Sequence, residues 1–262
     1  MAITPVVSDW RARPFPLKEL IDYIASNGLE YFEAQMLFLP EDEKGQDELV
    51  EYARSKGVKI NIHSYFATNN IIDTDEENRK ISVAQLKYAI DFAARNDLGP
   101  VTFHPGRLSS PEDDPKEKWE LLLETVGDVA LYAKEKKVRL AVENMEMRPN
   151  ELVFTIDDLN RFAPYGKDNP YFGVTIDFAH FASLGIISPA LEELKLPIFN
   201  VHISQYTPEA IHLPLTTEGG VVDVKEACRV LKKYGYESFV VLESHRDVPQ
   251  SAKILMDAYE SV

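Results

Sequence analysis

The stretch FGVTIDFAH, residues 172–180, ends an apolar run on an acid, Asp177, and places an imidazole, His180, three residues later. A buried strand that delivers a carboxylate and a histidine at its carboxyl end supplies the parts of a metal or acid–base site. The stretch has counterparts. His63, His104, Glu143, His202 and Glu243 all stand near the ends of other runs that read as strands. Of the six histidines, His63, His104, His180, His202 and His245 lie at or just beyond such an end, and His212 lies in the loop after the seventh run. None falls inside a long amphipathic helix. Carboxylates buried side by side are costly unless a cation neutralises them. Imidazole and carboxylate donors without thiolate suit a divalent ion such as Zn²⁺ or Mn²⁺. One ion held by two Glu, an Asp and a His can polarise a sugar carbonyl or hydroxyl while a flanking carboxylate moves a proton on the adjacent carbon. Two or three clustered ions can instead bind a phosphodiester and generate hydroxide for in-line attack.

For these residues to meet, the chain must bring many strand ends to one face. β-type runs occur at residues 3–7, 31–34, 58–62, 100–103, 138–142, 172–176, 199–203 and 238–242. Helical runs alternate with them at 17–27, 47–56, 75–96, 115–136, 155–162, 223–234 and 251–261, with short helical pieces at 181–184 and 189–194. Gly28, Gly57 and Gly235 follow helical runs as C-caps, and Thr155 precedes one as an N-cap. Strands alternating with helices imply parallel βαβ units. Eight such units predict one α/β domain over residues 1–262, a single (β/α)₈ TIM barrel whose strand ends share one face. An open nucleotide-binding sheet would carry a Gly-rich turn after its first strand, where this chain has SDWRARP.

With 262 residues and 45% hydrophobic composition, the chain can bury one sizeable core. Its formal charge of −15 favours a small-molecule or cationic partner over broad nucleic-acid binding. The lone cysteine, Cys228, excludes an internal disulfide and a Cys-based zinc site. No apolar run reaches the ~18 residues of a membrane span. The opening MAITPVVSDW has no basic segment followed by an apolar core. A cytoplasmic protein without a membrane partner is expected.

The order His63, His104-Pro105-Gly106, Glu143-Asn144, Asp177-x-x-His180, His202, His212, Glu243 resembles the xylose isomerase-like barrel superfamily over essentially the whole chain. That superfamily includes sugar isomerases, epimerases and endonuclease IV. In the isomerase and epimerase branch, the resemblance implies one Mn²⁺-type ion held by Glu143, Asp177, His202 and Glu243. Glu143 and Glu243 would double as acid and base on opposite faces of the substrate, and His180 would contact it. Many epimerases place an arginine a few residues after the strand-seven histidine; residues 202–208, HISQYTP, have none. In the endonuclease IV branch, the resemblance implies three zinc ions. His63 and His104 would hold the first, with Glu143 bridging to a second on Asp177, His202 and Glu243. His180 and His212 would hold the third, whose aspartate is replaced by Ala210.

Tyr65 and Phe66 match that branch's DNA-intercalating loop in position, or cover the barrel mouth as aromatics. Residues 145–150, MEMRPN, lack the Gly-rich character of endonuclease IV. Arg11, Arg13, Arg107, Arg148 and Arg246 could line a cleft for a sugar phosphate or a nucleic-acid phosphate. The leading expectation is a metal-dependent sugar or sugar-phosphate isomerase or epimerase with one to three divalent ions. Its substrate contacts would be His180, His212, Arg246 and Tyr65. The alternative is an endonuclease IV-like phosphodiesterase acting on abasic DNA, or another metal-dependent hydrolase. Nucleic acid is a partner only under that alternative. A third class is a barrel that binds metal or ligand without turnover.

Overall fold

Each β-type run becomes a strand because its residues alternate between two environments. In the computed structural model, which describes residues 3–8, 16–66, 69–244 and 246–262, the strands are β1 (Thr4–Ser8), β2 (Tyr31–Gln35), β3 (Lys59–His63), β4 (Val101–Phe103), β5 (Leu140–Glu143), β6 (Phe172–Asp177), β7 (Ile198–Ile203), β8 (Gln205–Thr207), β9 (Ala210–Leu213) and β10 (Phe239–Leu242). Arg11, Arg13 and His245 lie outside the described residues. Eight of the strands close a parallel barrel in the order β1-β10-β7-β6-β5-β4-β3-β2. The chain is thus the (β/α)₈ TIM barrel that the alternation predicts. β8 and β9 form a separate antiparallel hairpin.

The two faces of each strand differ chemically. Phe32, Ala34, Ile60, Ile62, Val142, Val174, Ile176 and Val201 join the apolar cluster. Glu33, Gln35, Asn61, His63, Thr102, Glu143, Thr175, Asp177, Asn200 and His202, at the alternate positions, are buried and polar. The register sets Glu33 beside Asn61, Gln35 beside His63, Glu143 beside Thr175 and Asp177 beside His202. The polar positions therefore form neighbouring rows that climb toward the carboxyl ends of the strands.

The helices are α1 (Leu17–Ser26), α2 (Glu43–Ser55), α3 (Glu76–Asn96), α4 (Pro115–Lys136), α5 (Ile156–Asn160), α6 (Ala163–Gly166), α7 (Phe178–Ser183), α8 (Val224–Tyr234) and α9 (Val248–Glu260). α2 starts four residues before the expected 47, because Asp42 caps it by accepting from the Gly45 amide at 2.8 Å. β3 and β5 run one residue past their expected ends, so His63 and Glu143 belong to the strands themselves. Thr155 caps α5 reciprocally with Asp158. Among the described residues, no helix is long and apolar enough to cross a membrane.

The strand that carries Asp177 depends on one glycine. A Cβ on Gly173 would stand 2.4 Å from the Pro197 carbonyl oxygen and 2.9 Å from the Phe199 ring. Its absence lets β6 and β7 pair closely at a register shift between Val174 and Thr175. Gly173→Ala should destabilise the fold by about 1–3 kcal/mol, read as a lower urea midpoint.

Candidate metal centre

Asp177 ends β6 and caps α7 in one move. One carboxylate oxygen, Oδ1, accepts from the His180 amide at 2.8 Å, and the other, Oδ2, has no hydrogen-bond partner. Asn144 ties this turn to β5: its Oδ1 accepts from the Asp177 amide at 2.8 Å, and its Nδ2 donates to the Asp177 carbonyl at 3.1 Å. Glu143, Asp177, His202 and Glu243, at the ends of β5, β6, β7 and β10, then bring one ligand atom each to within 4.8 Å of one another. They are nearly or fully buried, at 1%, 0%, 0% and 6% exposure. Both Glu143 oxygens, Asp177 Oδ2, Glu243 Oε2 and His202 Nδ1 lack hydrogen-bond partners. His202 Nδ1 lies 2.9 Å from Glu143 Oε1 and 3.3 Å from Glu243 Oε2, outside hydrogen-bonding alignment. Orphaned buried donors and acceptors that converge in this way fit a cation better than they fit one another. Three carboxylates and an imidazole suit Zn²⁺ or Mn²⁺.

Two further groups share these residues: His63 and His104 with Glu143, and His180 and His212 with Asp177. The nitrogens facing Glu143 Oε2 lie at 3.5 Å for His63 and 3.3 Å for His104. His63 Nδ1 sits 2.9 Å from the Ser64 carbonyl and His180 Nδ1 2.7 Å from the Asn144 carbonyl. A carbonyl can only accept, so both rings carry hydrogen on Nδ1 and keep Nε2 as the donor atom for a ligand. Burial would raise the Glu143 carboxyl, but His202, His104 and His63 hold it well below the usual range. Burial, reinforced by Glu243 and Glu143, pushes Asp177 up to about 7. Burial opposes charge on His202, yet Glu33, Glu143 and Glu243 raise its pKa well above the ordinary value. His212 is pushed down to about 4 by burial, despite Glu243.

The match to the xylose isomerase-like TIM barrel model runs over residues 21–261. The chain belongs to the xylose isomerase-like TIM barrel family. The uncharacterized protein MJ1311 of Methanocaldococcus jannaschii is 26% identical over 82% of this chain and 74% of its own. A D-tagatose 3-epimerase-like protein superposes with a TM-score of 0.86 at 24% identity, covering 99% of this chain and 98% of that one. The IolI protein, solved with a zinc atom bound, superposes at 0.76 with 18% identity over 98% of both chains.

In this member of the xylose isomerase-like family, a cavity of about 630 Å³ opens above the ligand groups, with His63, His104, His180, His212 and Glu243 among its lining residues. Phe66 faces it and packs edge-on against His63 at 5.4 Å. Tyr65, expected as a substrate contact, instead packs against the apolar core. Arg107 and Arg148 line the cavity, whereas Arg246 is exposed and outside the described lining. Ala210 lies in the wall on β9; the His180–His212 group has Asp177 as its carboxylate, and Glu243 Oε2 lies 3.3 Å from His212 Nδ1. The segment read as loop after β7 is partly the β8–β9 hairpin, which carries His212 in a left-handed conformation at φ 58°. For a non-glycine residue that conformation is uncommon and clusters at functional sites. Gln205 fixes the hairpin by exchanging two hydrogen bonds with the Val222 backbone, both 3.0 Å.

Two carboxylates escape the reading from strand ends. Glu33, fully buried on β2, lies 3.2 Å from His202 Nε2. Its signal is the polar alternation of Glu33 and Gln35 within YFEAQ. Glu151 lines the cavity at 8% exposure, and burial pushes it up to about 7 against the pull of Arg107, His180 and Arg148.

Two outcomes are expected. Glu143→Gln and Asp177→Asn should each weaken metal binding by more than the roughly 10-fold that an outer-sphere loss costs, read by elemental analysis with circular dichroism unchanged. Asn at position 177 keeps a cap for α7, so the fold should survive. The second outcome concerns Glu151, which binds its proton more readily in the folded state than in the unfolded one. Its stabilising contribution is full below its ordinary value of 4.5 and is lost as pH rises through about 7. Glu151→Gln should remove that fall, worth at most about 3 kcal/mol, from the profile of unfolding free energy against pH.

Proposed function

We propose that this chain is a divalent-metal-dependent isomerase or epimerase acting on a sugar or sugar phosphate. The observation that carries the reading is the placement of Glu143 and Glu243 in one ligand group, from β5 and β10, with β6 and β7 between them around the barrel. Membership of the family supports it. So does the fold shared with the D-tagatose 3-epimerase-like protein, and the zinc atom in IolI supports the metal. A cation held by Glu143, Asp177, His202 and Glu243 would supply Lewis acidity toward a sugar carbonyl or hydroxyl.

The chain's own groups do the rest. One glutamate removes the proton from the carbon beside the carbonyl, and the C–H electron pair moves into an enediolate. The other glutamate returns a proton. Return on the opposite face of the same carbon inverts it, and return to the neighbouring carbon moves the carbonyl as the hydroxyl proton passes from the first carbon's oxygen to the former carbonyl oxygen. His180 and His212 contact substrate oxygens. Arg107 and Arg148, in the cavity lining, would take a phosphate, Arg148 while paired with Glu146. Phe66 keeps water from the reacting carbon.

A second reading, phosphodiester hydrolysis on abasic DNA, is favoured by one observation: His63 and His104 converge on Glu143 as a second ligand group. The two separate in one assay. Protein loaded with Mn²⁺ or Zn²⁺ is incubated in D₂O with a panel of ketoses and ketose phosphates, and deuterium entry next to the carbonyl is followed by NMR. The same preparation is offered an abasic oligonucleotide. Exchange that falls by about 10²–10⁴ in Glu143→Gln and Glu243→Gln is expected. Strand cleavage without exchange into any sugar would replace the first reading by the second.

A further inference from the structure

We infer that Glu33 is a positioning residue that fixes the tautomer and plane of His202 and thereby makes Nδ1 the ligand atom. This rests on the reading of His202 as a metal ligand. Glu33 sits beneath the ligand group and touches neither the cavity wall nor solvent. Its Oε2 accepts from Asn200 Nδ2 at 2.7 Å and faces His202 Nε2 at 3.2 Å, and its Oε1 is also 3.2 Å from Nε2. Asn200 Nδ2 lies 3.1 Å from Thr102 Oγ1, which is bonded in turn to Thr175 Oγ1 at 2.8 Å.

The direction of each bond follows from where the two Asn200 Nδ2 hydrogens go. Asn200 Nδ2 meets two oxygens and also lies 3.1 Å from His202 Nε2; its two hydrogens go to Glu33 Oε2 and Thr102 Oγ1, which leaves none to donate to the ring. Glu33 Oε2 is therefore an acceptor, and an acceptor against Nε2 requires hydrogen on Nε2. A neutral ring with hydrogen on Nε2 has its lone pair on Nδ1. Nδ1 is the atom that looks toward Glu143 and Glu243. With the other tautomer, the ring would present N–H to the ligand group and its lone pair to a carboxylate.

A carboxylate buried this deeply costs several kcal/mol unless its partners compensate it. Among the described residues, Asn200 and His202 are the groups that bond Glu33. A purely structural role would be served as well by an apolar residue of the same size. The arrangement here instead uses a charge to orient a ring, the relation through which outer carboxylates tune metal-binding histidines.

The full chain is titrated with Zn²⁺ against a chromophoric chelator, as wild type and as Glu33→Gln and Glu33→Leu. The expected loss of Zn²⁺ affinity is roughly 10-fold for Gln, which keeps a neutral acceptor, and nearer 100-fold for Leu. Long-range ¹H–¹⁵N correlation on the zinc-loaded wild type should show His202 with hydrogen on Nε2. That spectrum needs no variant and decides the matter if the variants do not fold. Equal affinity in folded Glu33→Gln and Glu33→Leu, or a loaded wild type with Nε2 bare, would overturn the assignment while leaving the metal site standing. A wild type that binds no zinc would remove the site reading itself, and this inference with it.

Discussion

Glu143, Asp177 and Glu243 bury three carboxylates in one ligand group, and their repulsion sets the terms for everything around them. A like-charge pair at about 4 Å costs roughly 4 kcal/mol at an effective dielectric of 20. Three such pairs approach the whole net stability of a typical domain, about 5–15 kcal/mol. The structure meets this cost by several means at once. Asp177 takes up a proton readily, with its pKa pushed to about 7. His202 is held toward the charged form between Glu33, Glu143 and Glu243. The remaining orphaned atoms point to a common centre, where a divalent cation would relieve all three repulsions together.

Such a group must be rigid before it can be selective. The ligands are at strand ends, and the positions are fixed by backbone-directed bonds from their neighbours. Asp177 divides its two oxygens, one spent on the α7 cap and one left for a ligand. Asn144 locks the ends of β5 and β6 to each other, and its carbonyl also orients His180. Gln205 holds the hairpin that brings in His212.

Much of this was legible in the chain because helices and strands alternate with distinct periods. The barrel follows from eight apolar runs, and the groups that could hold a metal ion gather residues that stand at or near the ends of those runs. Glu33 stands near the end of the run at 31–34, but the run itself does not say what it faces. It lies in the middle of β2, and only the pairing of β2 with the rest of the barrel brings it under His202, 169 residues away in sequence. The Tyr65–Phe66 pair shows a different limit. Both residues are aromatic and adjacent, so composition cannot say which turns to the cavity. The hairpin after β7 was hidden because its strands, three and four residues long, are too short for a period to register.

Charge distinguishes the two chemistries that this ligand set can support. The three shared carboxylates carry −3. One divalent ion leaves the group at −1, two bring it to +1, and three bring it to +3. A site near −1 accepts a neutral sugar, whose hydroxyls need polarisation and whose C–H needs a base. A site at +3 calls for a phosphodiester to neutralise it. At Ala210 the chain offers no further carboxylate, and the two that reach the His180–His212 group among the described residues, Asp177 and Glu243, are already shared with the first group. A third ion there would bring two charges to a place with no anion of its own. Arg107 and Arg148 line the cavity together with Glu146, Glu151 and Glu209, and Arg148 pairs with Glu146, so the wall beyond the ligand groups carries both signs of charge.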